Sequence, residues 1–180
     1  MRIFVAGAGG ALGAHLVPLL IADGHDVVAM TRSPGKSDAL RAQGAEPAVA
    51  DGLDRAAVMQ AMLRAEPEVV IHQMTALAEI KSMKKFDDEF ALTNRLRTEG
   101  TDHLVEAARA AGARRLIVQS YGNWNYERTG TGPKSEEDAL DPDPPANQRA
   151  SIAGAISGKA WTQRGGRPRT TNRSTRRRSV

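Results

Sequence analysis

Residues 2–13 read RIFVAGAGGALG, an apolar run that leads into a glycine-rich turn and then into a predicted helix. Gly7, Gly10 and Gly13 are spaced three residues apart, a pattern typical of the strand–turn–helix units that bind dinucleotides. The first N–H groups of a helix have no partner within the helix, so they can hold a phosphate. Glycine at position 10 lets the phosphate approach the backbone, and glycine at position 13 lets the helix pack against the strand. Without the flanking strand and helix, the same glycines would indicate only a tight turn.

Apolar runs alternate with amphipathic stretches as far as residue 119. Gly24, Gly44 and Gly112 each follow a predicted helix, where a left-handed cap favours glycine. Parallel strands joined by right-handed crossovers form a doubly wound sheet. We therefore predict an α/β fold, a Rossmann-like doubly wound parallel sheet with helices on both faces. The predicted strands are 2–6, 26–30, 47–50, 69–72 and 115–119, and the predicted helices are 11–23, 36–43, 54–64 and 86–111.

The polar residues Thr31, Arg32 and Ser33 follow the second predicted strand, about 20 residues after the glycine turn, where this fold reads the adenosine ribose. An acidic residue there would bind the ribose 2′-hydroxyl and favour NAD. Arg32 can instead neutralise a 2′-phosphate, with Thr31 and Ser33 as additional donors. We therefore predict NADP as the preferred cofactor; the alternative is a solvated arginine at the end of a strand.

These motifs resemble those of the extended short-chain dehydrogenases/reductases, and more narrowly those of the atypical NAD-dependent epimerase/dehydratase family proteins. The resemblance covers about residues 1–149. It implies an NAD(P)-binding protein that, if active, transfers a hydride on a nucleotide sugar or a small carbonyl substrate. The stretches that carry it are the glycine turn, TRS at 31–33, Asp51, VVIHQMTALA at 69–78, TNRLRTEGT at 93–101 and RLIVQSYG at 115–122.

The resemblance also implies further cofactor contacts. Asp51, beside Gly52, would accept a hydrogen bond from the adenine amino group; the alternative is a charge near the start of the following helix. Residues 73–75 would run beside the nicotinamide ribose, although Gln, Met and Thr replace the small residues of the family. His72 is interpreted as a hydrogen-bonded residue at the strand end rather than a catalyst. The predicted cofactor-binding set is Gly7, Gly9, Gly10, Ala11, Leu12, Gly13, Thr31, Arg32, Ser33, Asp51, Gly52, Gln73, Met74, Thr75 and Asn94.

The catalytic assignments depend on the resemblance as well. Ser120 would bind the reacting oxygen of the substrate, or it is simply a serine beside a turn. The acid/base pair of the family is a tyrosine followed four residues later by a lysine, which lowers the tyrosine pKa. Tyr121 and Tyr126 are followed at that spacing by Asn125 and Gly130. Tyr126 stays a candidate proton donor, with an aromatic anchor for the substrate loop as the alternative.

The last part of the sequence differs in composition from the rest. Residues 159–180 hold eight of the 25 lysines and arginines and no acid, so the remaining residues carry 17 bases against 21 acids. We predict an NAD(P)-binding domain over 1–149, without the C-terminal substrate cap, and a disordered basic tail over 150–180. The tail is interpreted as the product of a reading-frame change. The alternative is a basic arm retained by selection, which binds the phosphates of nucleic acid without sequence specificity.

Composition limits the remaining classes of function. The sequence has no apolar run near the roughly 20 residues of a membrane-spanning helix, so we predict a soluble protein. The glycines that follow the first apolar run make a poor signal-peptide core, so we predict a cytoplasmic location. The absence of cysteine excludes disulfides, and no metal site is predicted. A homodimer paired through the predicted long helix is a further expectation. Three interpretations stay open: an epimerase, dehydratase or reductase, a non-catalytic dinucleotide-binding module, and a basic interaction protein.

Overall fold

Five parallel strands form a single sheet in the computed structural model of the protein. The structure describes residues 1–80, 86–119, 126–127, 129–130, 132–135, 138–144 and 149. The strand order is β3-β2-β1-β4-β5, and every neighbouring pair is parallel. The strands are β1 (Arg2–Ala6), β2 (Asp26–Thr31), β3 (Glu46–Val49), β4 (Val69–His72) and β5 (Arg115–Val118). The helices are α1 (Ala11–Ala22), α2 (Ser37–Ala42), α3 (Arg55–Ala65), α4 (Phe86–Arg97) and α5 (Glu99–Ala110), with short 3-10 turns at Pro34–Lys36 and Leu77–Glu79.

Alternate residues of the central strand enter two separate apolar cores. Ile3 and Val5 of β1 pack in a cluster that includes Val17 of α1. Phe4 and Ala6 pack in the other cluster, which includes helices α3 and α5. Because successive strand residues point to opposite faces of a sheet, the two cores lie on its two sides. The predicted doubly wound α/β sheet with helices on both faces is therefore confirmed.

The predicted long helix 86–111 is wrong, because the structure breaks it into α4 and α5. Thr98 lies between them with φ −99° and ψ −83°, outside helical geometry. Its hydroxyl donates to the carbonyl oxygen of Asn94 at 3.0 Å. A threonine that bonds back to the preceding turn bends a helix. The other elements agree with the predictions within a few residues: β3 begins and ends one residue earlier than expected, and β5 ends at Val118.

The order of the strands determines where a ligand can enter. β1 pairs with β2 on one side and with β4 on the other. The first three strands extend the sheet in one direction from β1, and β4 and β5 extend it in the opposite direction, so the strand order reverses between β1 and β4. In open α/β sheets, ligands bind in the crevice at the carboxyl ends of the strands beside such a reversal. The glycine turn and His72 both stand at these ends.

Part of the sequence predictions falls outside the described residues, namely Ser120 and the basic tail at 150–180. Within the described ranges, no helix has the length and apolar character needed to cross a membrane. Residues 126 and 140 form an isolated antiparallel bridge.

Candidate functional site

The turn after β1 has backbone geometry that requires glycine. Gly7 has φ +90°, and a Cβ there would lie 2.7 Å from the backbone carbonyl of Gln73. A Cβ at Gly13 would lie 2.5 Å from the carbonyl oxygens of Gly7 and Ala8. The N–H groups of Gly7 and Ala8 both donate to the Met30 carbonyl, at 3.2 and 3.0 Å, which ties the turn to β2. The turn is therefore fixed in place from both sides.

The start of α1 opens directly from this turn. Gly10 is the N-cap residue, with φ −84° and ψ 176°, and no side chain caps the helix. The N–H groups of the first helical turn carry partial positive charge and have no carbonyl to bond within the helix. Gly10 is exposed, so an anion can reach these groups. The arrangement fits a pyrophosphate on the first turn of α1.

A cavity of about 420 Å³ lies at the carboxyl ends of β1, β2 and β4. Its volume is within the range of about 300–1,000 Å³ that small-molecule sites occupy. Eleven of the predicted cofactor-binding residues line it: Gly7, Gly9, Gly10, Thr31, Arg32, Ser33, Asp51, Gly52, Gln73, Met74 and Thr75. Among the described residues, the predicted Ala11, Leu12, Gly13, Asn94 and Tyr126 are not part of the lining. The first three begin α1, Asn94 lies on α4, and Tyr126 lies in the bridge with Leu140.

Two charged residues of the lining were missed in the sequence. Lys36 lies over Gly9, and its Nζ donates to the Gly9 carbonyl oxygen at 2.5 Å. Glu79 forms an ion pair with Arg32. Lys36 follows Arg32 by four residues in the same loop, and this spacing could have indicated a second cation. Nothing in the sequence indicated Glu79, because Glu79 and its partner Arg32 lie in loops that follow different strands.

The wall formed by residues 73–75 accommodates the larger side chains. Met74 is turned into the core and is only 6% exposed. A Cβ at Gly52 would collide with the Met74 sulfur, and a Cβ at Gly100 would lie 3.2 Å from its terminal methyl carbon. Glycines on the β3–α3 turn and on α5 thus provide the space that the methionine fills. Gln73 stands in the wall with its Oε1 buried and without a hydrogen-bond partner among the described residues, so this oxygen can accept from a ligand.

His72 at the end of β4 is fully hydrogen-bonded. The Met74 N–H donates to Nδ1 at 3.1 Å, so the ring proton lies on Nε2. Nε2 is 3.0 Å from the Thr101 hydroxyl, which in turn donates to the Arg97 carbonyl oxygen at 2.7 Å. Burial lowers the pKa of His72 to about 4. The interpretation of His72 as a structural strand-end histidine agrees with this geometry.

Asp51 faces the cavity from the end of β3. One carboxylate oxygen accepts the Leu53 N–H at 3.0 Å. Asp54, three residues later, caps α3 by accepting the Ala57 N–H at 3.0 Å. Asp54 is thus the capping residue of α3, and Asp51 is part of the cavity lining.

Comparison with known proteins supplies the family. A family model described as NAD(P)H-binding matches residues 7–163. A 3-diazoavenalumate denitrifying reductase from a Streptomyces species is 55% identical over 121 residues, which are 67% of this chain and 38% of that protein. A UDP-glucose 4-epimerase from Mycolicibacterium smegmatis is 32% identical over 167 residues, 89% of this chain and 50% of the epimerase. The chain thus spans half or less of the length of these relatives.

Solved structures show the same architecture. The UDP-glucose 4-epimerase of Thermus thermophilus, in complex with NAD, superposes with a TM-score of 0.71 at 25% sequence identity. The superposition covers 91% of this chain and 51% of that structure. The predicted resemblance is therefore confirmed. The chain belongs to the NAD(P)H-binding family and is related to the NAD-dependent epimerases, dehydratases and reductases.

Proposed function

We propose that this chain forms the cofactor-binding part of an NADP-dependent reductase that acts on a small electrophilic molecule. The observation that carries the proposal is the glycine turn, which opens onto the uncapped first turn of α1 inside a cavity of about 420 Å³. The pyrophosphate would lie on the N–H groups of α1, and the adenosine would lie towards the ends of β2 and β3. The nicotinamide would then lie near Gln73, whose buried oxygen needs a donor.

The preference for NADP is supported by the charges at the end of β2. Arg32 and Lys36 both line the cavity, and no acid of this loop stands between them. Two cations in one loop can hold a 2′-phosphate, whereas a 2′-hydroxyl gains little from them. Glu79 lies on the same side but comes from the loop after β4.

We expect Arg32→Gln to weaken NADPH binding by about tenfold and to change NADH binding by less than about twofold, since a charge-assisted hydrogen bond contributes about 1.5–3 kcal/mol. Fluorescence titration of both cofactors measures the two affinities. Arg41→Gln is the matched control, because Arg41 pairs with Asp38 on the surface of α2. Equal loss of NADPH and NADH affinity would contradict the assignment of Arg32 to the 2′-phosphate.

The class of reaction is a second part of the proposal. A bound reduced nicotinamide supplies a hydride. Reduction of a carbonyl also needs a proton donor, but neither tyrosine of this sequence is followed by lysine at the spacing of the family's acid/base pair. Replacement of a diazonium group by hydride at an aromatic carbon releases N₂ and needs no proton. The similarity to a reductase of a diazo compound therefore favours an aromatic diazonium or another electron-poor small molecule.

A second candidate, nucleotide-sugar epimerisation, is favoured by the similarity to UDP-glucose 4-epimerases. Two kinds of incubation of the full chain separate the candidates: an aromatic diazonium salt or a small ketone is supplied with NADPH, and UDP-glucose is supplied with NAD. Loss of NADPH absorbance with the diazonium salt supports the first candidate, and conversion of UDP-glucose to its epimer with bound NAD supports the second. Cofactor binding without either reaction would support the non-catalytic dinucleotide-binding module.

We propose that residues 1–149 form the cofactor-binding domain and that two copies pair through α4 and α5. Any contact of residues 159–180 with nucleic acid would be non-specific, through phosphates alone. Gel filtration tests the pairing. Loss of nucleic-acid binding in moderate salt tests the phosphate contact, because such binding weakens steeply as salt rises.

A further inference from the structure

The ion pair between Arg32 and Glu79 joins two loops that line the cavity. Arg32 follows β2, whereas Glu79 ends the short turn Leu77–Glu79 that follows β4. β1 lies between these two strands, so the pair spans two strand spacings, about 10 Å of sheet. Both residues line the cavity. The contact therefore joins the two sides of the cleft above the glycine turn.

One carboxylate oxygen of Glu79 contacts Nη2 of the guanidinium that a 2′-phosphate would need. A carboxylate and a phosphate are both anionic acceptors for the same donor fork of arginine. Lys36 differs in this respect, because its Nζ is held by the neutral carbonyl oxygen of Gly9. An entering phosphate would therefore meet a competing negative charge at Arg32 rather than at Lys36.

The pair is weak enough to exchange. The side chains of Arg32 and Glu79 are 49% and 52% exposed, so water screens their attraction. Pairs of this kind contribute about 0–1 kcal/mol. An anion with a higher charge and a fixed position in the cleft can therefore displace Glu79.

We propose that Glu79 is a specificity-determining residue that competes with the 2′-phosphate of NADP for Arg32. This inference rests on the proposed function. NADP must release Arg32 from Glu79 in order to bind, and NAD, which has no 2′-phosphate, leaves the pair intact. Glu79 thus lowers the ratio of NADP to NAD affinity below the value that Arg32 and Lys36 alone would give.

The test is Glu79→Gln, which keeps the size of the side chain and removes its charge. Affinities for NADPH and NADH are measured by fluorescence titration, and adenosine 2′,5′-bisphosphate and 5′-AMP are used as competitors that lack the nicotinamide. We expect NADPH and the bisphosphate to bind about two- to fivefold more tightly, while NADH and 5′-AMP change by less than about twofold. Asp38→Asn is the matched control: it removes a carboxylate from an exposed ion pair on α2 and should change neither affinity.

A double-mutant cycle shows whether Glu79 changes NADPH affinity through its contact with Arg32. If Glu79 acts by holding Arg32, then Glu79→Gln has no effect on NADPH binding in an Arg32→Gln background. An unchanged ratio of NADPH to NADH affinity in Glu79→Gln, or an equal gain in both backgrounds, overturns the inference. A wild-type chain that binds neither cofactor overturns the proposed function as well, so the two failures are distinguishable.

Discussion

Replacing Gly10 with valine is expected to lower NADPH affinity about a hundredfold, because the side chain would stand where the pyrophosphate meets the first turn of α1. A hundredfold loss is about 2.8 kcal/mol, which lies within the about 1.5–3 kcal/mol that one charge-assisted hydrogen bond from a backbone N–H group contributes. Gly10 has φ −84° and ψ 176°, an extended conformation that valine adopts readily, and its Cβ would lie 3.3 Å from the Gly7 carbonyl oxygen, which a shift of a few tenths of an ångström relieves. The free energy of unfolding should therefore change by no more than about 1 kcal/mol, the usual cost of a poor N-cap.

The same substitution at Gly35 is the control for Gly10→Val. A Cβ at Gly35 would meet no atom within 4 Å, and Gly35 is not among the described residues that line the cavity. Gly35→Val should therefore keep the affinity of the wild-type chain. If Gly10→Val binds NADPH as tightly as Gly35→Val does, the pyrophosphate does not lie on α1.

The glycine turn and the sheet were predictable because their signals are local. Gly7, Gly10 and Gly13 directly follow a strand and are spaced three residues apart. In the structure, a Cβ on any of the three would press against a backbone carbonyl group. The apolar runs also mark buried parallel strands without knowledge of their neighbours. Patterns within one segment of the chain thus account for most of the fold.

Contacts between distant segments were not predictable in the same way. The break at Thr98 depends on the hydroxyl bonding back to Asn94, while the apolar pattern continues across it. The ion pair of Arg32 with Glu79 joins loops 47 positions apart in the sequence. A pattern within a single sequence holds no record of such pairings, so Glu79 as the partner of Arg32 could be found only in the structure.

In the wall beside the predicted nicotinamide site, larger side chains in one segment are accommodated by glycines in two others. The resemblance implied small residues at 73–75, where this chain has Gln, Met and Thr. Met74 fits because Gly52 and Gly100 leave the space that its thioether fills. Gly100 and the neighbouring Thr101 are both buried on α5. Three segments therefore set the shape of this wall together.

Lowering the pH is expected to destabilise the protein through His72. Burial lowers the pKa of His72 to about 4, from an ordinary value of 6.5. The unfolded chain therefore takes up a proton near the ordinary value, while the folded chain stays neutral. Because the unfolded state binds more protons in this interval, stability falls as the pH drops from 6.5 towards 4, and His72 adds no further loss below it.

Urea unfolding between about pH 7 and about pH 5 measures this effect, and we expect a loss of about 2 kcal/mol from His72. Glu68, Glu99 and Glu106 also have lowered pKa values through their hydrogen bonds, but their ordinary value is 4.5, so they act mainly below this interval. The comparison is with His72→Gln, which has no titrating ring. That variant should be less stable at neutral pH, since it loses the bonds to Met74 and Thr101, yet its stability should change little over the same interval. If the stability of His72→Gln falls equally steeply with pH, the acid sensitivity belongs to another group. Burial would then not lower the pKa of His72 as the structure indicates.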